Sequence, residues 1–387
     1  MIVPLDQAAA TFEASLDGTV GIEEEFAILD PATLDLAPRY EELHAAGQAE
    51  PVLAEAIAGE LISSEIEIRS GRGEDLTAAL EQQRTARRAL FALADDRAAG
   101  LGATGTHPWA DYREQGNIDT EHYRRVVDGL QYVARRNNTF SLHVHVGVQG
   151  ADRAVRVCDR LRPVLPLLLA ISANSPFLDA RDAGLHSART QSFTKSFPRC
   201  GIPDVYGSWA AFAEYIDFLT RTRSIVEYTQ VWWSVRPHFT FGTVEVRICD
   251  VQSTAEESDA LCALITACVL QAAHDDDAGV PDGALTRRLI EENFWRAIRF
   301  GLDGELLDLP GDRAYPAREA VERLLAWTAP ARAAHGLGEP TFGRRNGAQR
   351  QRDAIAAGAT PAEVYAASVR ETHSTYSMSD REAAQHE

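Results

Sequence analysis

The segment GIEEEFAIL, residues 21–29, has acidic side chains at Glu23 and Glu25 between the apolar residues Ile22, Phe26 and Ile28. Successive side chains of a β-strand point to opposite faces, so the two carboxylates share one face. The pattern predicts a strand over residues 20–30 with one face in a hydrophobic core. The other face would carry negative charge.

Three further segments repeat this arrangement of polar residues two positions apart with apolar flanks. They are ELISSEIEIRS (60–70) with Glu65 and Glu67, TFSLHVHVGV (139–148) with His143 and His145, and GTVEVRICD (242–250) with Glu245 and Arg247. Each pair alone is typical of a solvated outer face or a cross-strand packing pair. Four agreeing segments favour a shared site, because unpaired buried charges are costly unless a cation joins them. Carboxylates as the main ligand type indicate Mg²⁺ or Mn²⁺ rather than a structural zinc.

Composition excludes several classes of function. The 387-residue chain has a formal net charge of −19, which argues against a nucleic-acid-binding surface. No apolar run is long enough to span a bilayer, so no membrane partner is expected. The five cysteines form no CxxC motif and the first residues show no signal-peptide pattern. These features predict a reduced, cytoplasmic enzyme.

The spacing of the elements favours an α+β fold, a curved and mostly antiparallel sheet with a concave active-site face and helices packed outside. Neither a P-loop nor a dinucleotide-binding glycine motif is present. We expect a single catalytic domain over 1–387 with a mostly helical C-terminal region, about 284–387. Strands are predicted at 20–30, 60–69, 139–148, 228–236 and 242–250, and helices at 74–99, 119–136, 150–173, 209–222 and 255–274. Residues 174–208 are predicted to form a long functional loop.

An ordered set of motifs resembles the carboxylate–amine ligase group of the glutamate–cysteine ligase type 2 family. The motifs are GIEEEFAILDPATLDL (21–36), SEIEIRSG (64–71), TFSLHVHVGV (139–148), ISANSPFLDARDAGLHSARTQSF (171–193), YGSW (206–209), VWWSVRPHFTFGTVEVRICDVQST (231–254) and ENFWRAIRFGLDGELLD (292–308). The family is placed in the glutamine synthetase and guanidino kinase superfamily. The resemblance implies ATP-dependent joining of a carboxylate, such as the γ-carboxylate of glutamate, to an amine such as that of cysteine. It also implies a homodimer or higher homo-oligomer.

The resemblance also implies roles for individual residues. The implied metal ligands are Glu23, Glu25, Glu60, Glu67, His143 and Glu245. Glu24 is expected on the opposite face, and Glu65 is a second-rank candidate. Arg247 would contact the transferring phosphoryl group, with Glu67 as a second catalytic residue. His145 is expected to bind phosphate or to pack.

The segment 174–208 contributes Arg181 and Arg189 as candidate contacts for phosphate or a substrate carboxylate, since arginine binds both groups bidentately. The motif RRNGAQR (344–350) also resembles the family, without an assignable role. Two other functions stay open at this point. A metal-dependent hydrolase would use the HVH pair as zinc ligands. A non-catalytic module would bind a nucleotide or an amino acid without turnover.

Overall fold

An antiparallel sheet of seven strands organises the chain, whose computed structural model describes residues 4–282, 285–309, 311 and 313–377. The strands are β1 (Val20–Leu29), β2 (Ile57–Ala58), β3 (Glu65–Arg69), β4 (Gly100–Gly102), β5 (Ser141–Gly147), β6 (Phe177–Leu178), β7 (Arg181–Asp182), β8 (Cys200–Gly201), β9 (Trp232–Trp233), β10 (Val235–His238), β11 (Thr243–Asp250), β12 (Glu305–Leu307) and β13 (Ala314–Pro316). The order in the main sheet is β10-β11-β5-β1-β3-β2, and β4 pairs with β1. The predicted α+β class with an antiparallel sheet is confirmed.

Helices cover one face of this sheet and continue into the C-terminal region. They are α1 (Leu5–Glu13), α2 (Tyr40–Gly47), α3 (Leu76–Asp96), α4 (Glu121–Leu130), α5 (Tyr132–Arg135), α6 (Ala151–Leu161), α7 (Leu165–Ser172), α8 (Ala188–Ser192), α9 (Trp209–Arg221), α10 (Ala255–Asp277), α11 (Arg287–Phe300), α12 (Ala317–Ala334), α13 (Gly347–Ala356) and α14 (Pro361–Tyr376). Helices α3, α6, α7 and α10 contact the sheet strands. None of the helices in the described part of the chain is long and apolar enough to cross a membrane.

The alternation seen in the sequence sorts side chains onto the two faces of the sheet. Ile22, Val144 and Val246 are fully buried in one hydrophobic cluster under β1, β5 and β11. Phe26 and Ile68 belong to a second cluster under β1 and β3. The polar residues that alternate with them along each strand therefore lie on the opposite face of the sheet. The helices leave this face open to ligands.

Several predicted elements differ from the observed ones. The strand predicted at 60–69 begins only at Glu65, because Ser63 donates its N–H to the carbonyl of Gly116 and leaves the sheet. The helix predicted at 119–136 breaks at Gln131, which has a positive φ of 50°. The helix predicted at 150–173 is divided after Leu161, at the segment that contains Pro163.

The strand predicted at 228–236 is also interrupted. Residues Tyr228–Gln230 form a 3₁₀ turn, and β9 pairs with β8 in a separate two-stranded parallel sheet. The predicted loop 174–208 therefore contains regular structure, including β6, β7, β8 and α8. Asp250 at the end of β11 anchors this segment by accepting hydrogen bonds from Asn174 N (2.9 Å) and Ser175 Oγ (2.6 Å).

The RRNGAQR motif has a structural role in the C-terminal region. Asn346 and Gln349 form a capping box at the start of α13, each side chain bonding the other's backbone N–H. Asn346 also donates to the carbonyl of Ala170 at 2.9 Å, which ties α13 to α7. Among the described residues after 284, the chain forms α11 to α14 and the β12–β13 hairpin. Residues 378–387 lie outside the described part.

Glu24 lies on the core face, as predicted, and forms a buried ion pair with Arg87 of α3. Arg87 is 1% exposed, and its Nε and Nη2 lie 2.6 Å and 2.9 Å from the carboxylate oxygens of Glu24. Burial lowers the pKa of Arg87, but Glu24 and Asp259 raise it well above its usual value, so it remains charged. The pair fixes β1 against α3 and α10.

We expect Arg87→Leu to lower the free energy of unfolding by about 3–5 kcal/mol, because it leaves Glu24 as an uncompensated buried charge. Arg84→Leu is the matched control. Arg84 also pairs with Asp259, but its side chain is 44% exposed, so about 1 kcal/mol or less should be lost. Urea denaturation measures both values. Equal small losses would show that the buried pair does not stabilise the fold.

Candidate active site

Cross-strand register brings the predicted polar residues together on the open face of the sheet. Glu23 of β1 pairs with His143 of β5, and Glu25 pairs with Glu67 of β3. On the other side of β5, His145 pairs with Glu245 of β11. Four segments that are distant in sequence thus become one continuous polar surface across adjacent strands.

This surface forms the floor of a cavity of about 390 Å³. Loops and helix α4 supply its walls, and most of the lining is polar. The lining includes Glu23, Glu25, Glu60, Glu65, Glu67, Arg69, His122, Tyr123, Asn137, Thr139, Ser141, His143, Arg189, Glu227, Trp232, Arg236, His238, Glu245 and Arg247.

His143 is the centre of the hydrogen-bond network in this cavity. Its Nδ1 lies 3.1 Å from Glu23 Oε2, and its Nε2 lies 2.8 Å from Ser141 Oγ. Ser141 in turn donates its N–H and hydroxyl to Glu25 Oε2, at 2.5 Å and 2.6 Å. Burial, followed by the charge of Arg247, lowers the pKa of His143, which favours the neutral imidazole that binds a metal.

On the β11 side, arginines neutralise the carboxylate of Glu245. Arg236 Nε lies 2.5 Å from Glu245 Oε2, and Arg247 also bonds this carboxylate. Burial raises the pKa of Glu245, but the two arginines outweigh it and hold the pKa well below its usual range.

Arg247 is placed by a β-bulge. The register passes from Val246 opposite Val144 to Cys249 opposite Leu142, so Arg247 and Ile248 both stand against His143. The extra residue bends the strand and turns the guanidinium into the cavity, with Nη1 3.5 Å from His143 Nδ1.

On the β3 side, the acidic residues have few positively charged neighbours. Burial and the charge of Glu25 raise the pKa of Glu60 to about 7. Burial and neighbouring acids also raise the pKa of Glu65 and Glu67 well above the usual value, although Arg69 Nε lies 3.0 Å from Glu67 Oε1. This half of the cavity therefore has an excess of carboxylates that an added cation would stabilise.

Two groups of residues could hold a metal ion, and each combines carboxylates with one imidazole. One group is Glu23, His143 and Glu245, and the other is Glu25, Glu67 and His143. A neutral imidazole has one free lone pair, so His143 can serve one group at a time and carboxylates must complete the other. This oxygen-rich donor set fits Mg²⁺ or Mn²⁺.

A second cavity of about 400 Å³ adjoins the first and has a more apolar character. The two cavities share Glu23 and Arg69, and His145 also lines the second one. Phe241 at its edge is 52% exposed and stacks on His238, with ring centroids 4.5 Å apart. Burial lowers the pKa of His238 to about 3, so at neutral pH both rings form an uncharged aromatic surface.

The sequence model of glutamate–cysteine ligase family 2 matches residues 19–377, which include every strand of the polar surface. The chain belongs to this family. A relative from Rubrobacter xylanophilus that bears the family's name is 40% identical over 308 residues, 80% of this chain and 79% of its own. The glutamate–cysteine ligase of Natronomonas pharaonis is 37% identical over 307 residues, 79% of this chain and 84% of its own.

The fold is shared with a solved glutamate–cysteine ligase. The glutamate–cysteine ligase of Francisella tularensis, whose crystal structure contains AMP, superposes with a TM-score of 0.68 at 12% identity. The superposition covers 95% of this chain and 91% of that one. The fold of that protein is therefore present over nearly the whole chain.

Most of the predicted site residues converge in this family member, but the two arginines of the 174–208 segment differ. Arg189 lines the cavity, and its Nη1 donates to the carbonyl of Ile248 at 3.1 Å. Arg181 lies exposed on the β6–β7 hairpin and is not among the residues that line the cavity. The structure thus does not bring Arg181 to the site.

Three further residues, Ser141, Arg236 and His238, line the cavity beyond those that the resemblance implied. Arg236 precedes a proline in VRPHF and is recognisable only once β10 is paired with β11. Ser141 lies one step of the strand period before His143, so the alternation in TFSLHVHVGV could have indicated it. His238 is brought to His145 by the same hairpin, with ring centroids 5.0 Å apart.

Proposed function

We propose that this ligase-family protein is an ATP-dependent carboxylate–amine ligase that joins the γ-carboxylate of glutamate to an amine such as that of cysteine. The observation that supports this most is the shared polar surface, where two metal-ligand groups and Arg247 lie beside an apolar pocket. ATP presents the same combination, an apolar base joined to a polyanionic chain. The name of the Natronomonas relative supports the substrate pair.

The apolar cavity is the proposed site of the nucleotide base. Its edge offers the exposed ring of Phe241 for stacking, and it opens toward Glu23 and His145. The triphosphate would then extend along β1 and β5 toward Glu25 and Arg247. His145, whose Nδ1 lies 3.0 Å from Thr243 Oγ1, is held where it can contact phosphate.

The proposed reaction activates the carboxylate as an acyl phosphate. A carboxylate oxygen attacks the γ-phosphorus of ATP and ADP leaves. The amine then attacks the acyl carbon, inorganic phosphate leaves, and the nitrogen releases one proton to solvent. Arg247 stabilises the charge on the transferring phosphoryl group, and Arg236 holds Glu245 in place beside it. Mg²⁺ or Mn²⁺, held by Glu23, Glu25, Glu67, His143 and Glu245 with Glu60 nearby, would neutralise phosphate charge when bound.

The donor set distinguishes this proposal from a zinc hydrolase built on the HVH pair. Within the described residues, each three-ligand group holds one histidine, namely His143. Catalytic zinc sites of hydrolases more often combine two or three histidines with an open water position. The homodimer or higher homo-oligomer and the cytoplasmic location stay predictions.

We expect ADP formation from ATP to depend on glutamate and on Mg²⁺ or Mn²⁺, to rise further when the correct amine is added, and to stop in EDTA. A coupled ADP assay with glutamate alone, and with glutamate plus cysteine or other amines, measures this. Mass spectrometry of the product identifies the amide. If no carboxylate stimulates ADP release with either metal, the ligase proposal fails. Full turnover in EDTA would refute the metal requirement.

A further inference from the structure

Glu65 is a buried carboxylate with an unused acceptor, and it lines the polar cavity. Its side chain is 1% exposed, and within the described residues its Oε2 accepts no hydrogen bond. A buried carboxylate oxygen without a donor costs free energy unless a ligand supplies one. The geometry therefore indicates that a donor from a bound molecule completes this position.

The location of Glu65 indicates which part of a substrate it meets. Along β1, Gly21 borders the apolar pocket, Glu23 and Glu25 follow, and Ala27 pairs with Glu65. Ala27 lies six residues after Gly21 along the strand, a distance of about 20 Å. If the nucleotide base occupies the apolar pocket, the triphosphate points along this line and Glu65 lies at the amino-acid end.

The surroundings of Glu65 favour a positively charged group. Burial and the acidic neighbours Glu25, Glu60 and Glu67 raise the pKa of Glu65, whose side chain also hydrogen-bonds Glu25, so a cation beside it would favour its charged form. Glu65 nevertheless belongs to neither of the three-ligand groups that could hold a metal within the described residues. Its free oxygen is thus available to a cation other than the metal ions.

We infer that Glu65 binds an ammonium group of an amino-acid substrate, an inference that rests on the proposed ligase function. Two ammonium groups have the required chemistry, the α-ammonium of the glutamate donor and the amine of the acceptor before it loses its proton. A charged hydrogen bond to the unused Oε2 would fix the orientation of whichever amino acid it holds.

The test compares wild type with Glu65→Gln by isothermal titration calorimetry in the presence of Mg²⁺ and ADP. Glutamate, glutarate and cysteine are the three ligands, and glutarate lacks the α-ammonium group. Glutamine keeps the size of the side chain and removes its charge. Loss of one charged hydrogen bond should raise the Kd of the amino acid that Glu65 holds by about 10- to 100-fold. Glu65→Leu, which removes the hydrogen-bonding groups as well as the charge, should raise this Kd at least as much.

The three ligands identify which ammonium group is bound. A raised Kd for glutamate with an unchanged Kd for glutarate assigns Glu65 to the donor's α-ammonium. A raised Kd for cysteine assigns it to the acceptor. Either result supports the inference, and Glu41→Gln, an exposed residue of α2, should change no Kd.

Two results would overturn the inference. One is a Kd change below about twofold for both amino acids. The other is a loss of Mg²⁺ affinity in Glu65→Gln equal to that in Glu67→Gln, which would make Glu65 a metal ligand. Failure of the proposed function is seen separately, as wild-type protein that binds amino acids without carboxylate-dependent ADP release.

Discussion

Glu25→Gln is expected to lower kcat at least about 1,000-fold while the protein stays folded. Glu25 lies at the centre of the polar surface, paired with Glu67 across β1 and β3 and bonded by both donors of Ser141. Glutamine keeps the shape and can still accept these hydrogen bonds, but it is a neutral and much weaker ligand for a hard cation. A 1,000-fold loss corresponds to about 4 kcal/mol of transition-state stabilisation.

Steady-state kinetics over a range of Mg²⁺ and Mn²⁺ concentrations measure this effect, and circular dichroism verifies the fold. Glu114→Gln is the matched control, because Glu114 is an exposed acid on a short 3₁₀ turn, where the same substitution should leave kcat unchanged. A Glu25→Gln protein with wild-type kcat and metal dependence would remove Glu25 from the metal site.

The faces of the sheet could be predicted from the sequence because the information is local. In GIEEEFAIL and TFSLHVHVGV, a period of two between polar and apolar residues assigns Glu23, Glu25 and His143 to one face without knowledge of their neighbours. The same rule placed Glu24 in the core, where Arg87 compensates it. Local alternation does not identify this partner, because Arg87 lies on α3, 63 residues further along the chain.

Features that depend on register and chain path could not be predicted in this way. The bulge that turns Arg247 toward His143 follows from the pairing of β11 with β5. Arg236 becomes a site residue only through the β10–β11 hairpin. The β6–β7 hairpin keeps Arg181 exposed, although its sequence neighbourhood resembles that of Arg189. Such outcomes are set by contacts between distant segments, which one sequence does not reveal.

The distribution of charge within the site also could not be predicted from the sequence. Counting charges in the four segments suggests one uniformly acidic cleft, yet the structure divides it into two halves. Arg236 and Arg247 compensate Glu245 on the β11 side, whereas burial and neighbouring acids raise the pKa of Glu60, Glu65 and Glu67 on the β3 side. Added cations are therefore needed chiefly on the β3 side, and the fixed arginine charge is available to phosphate on the other.

Arg247→Lys is expected to lower kcat about 100-fold and to change the KM for ATP by less than about threefold. The Arg247 guanidinium is held by Glu245 at the bulge and keeps its charge at all working pH values, because Glu245 raises its pKa despite burial. A lysine that keeps the bond to Glu245 has no second rigid donor for a phosphoryl oxygen. An interaction that strengthens as charge develops in the transition state appears in kcat, whereas uniform binding appears in KM.

Initial rates at varied ATP separate the two parameters, with Arg221→Lys on the exposed face of α9 as the control. A change confined to KM would mean that Arg247 binds ATP in the ground state and does not act on phosphoryl transfer.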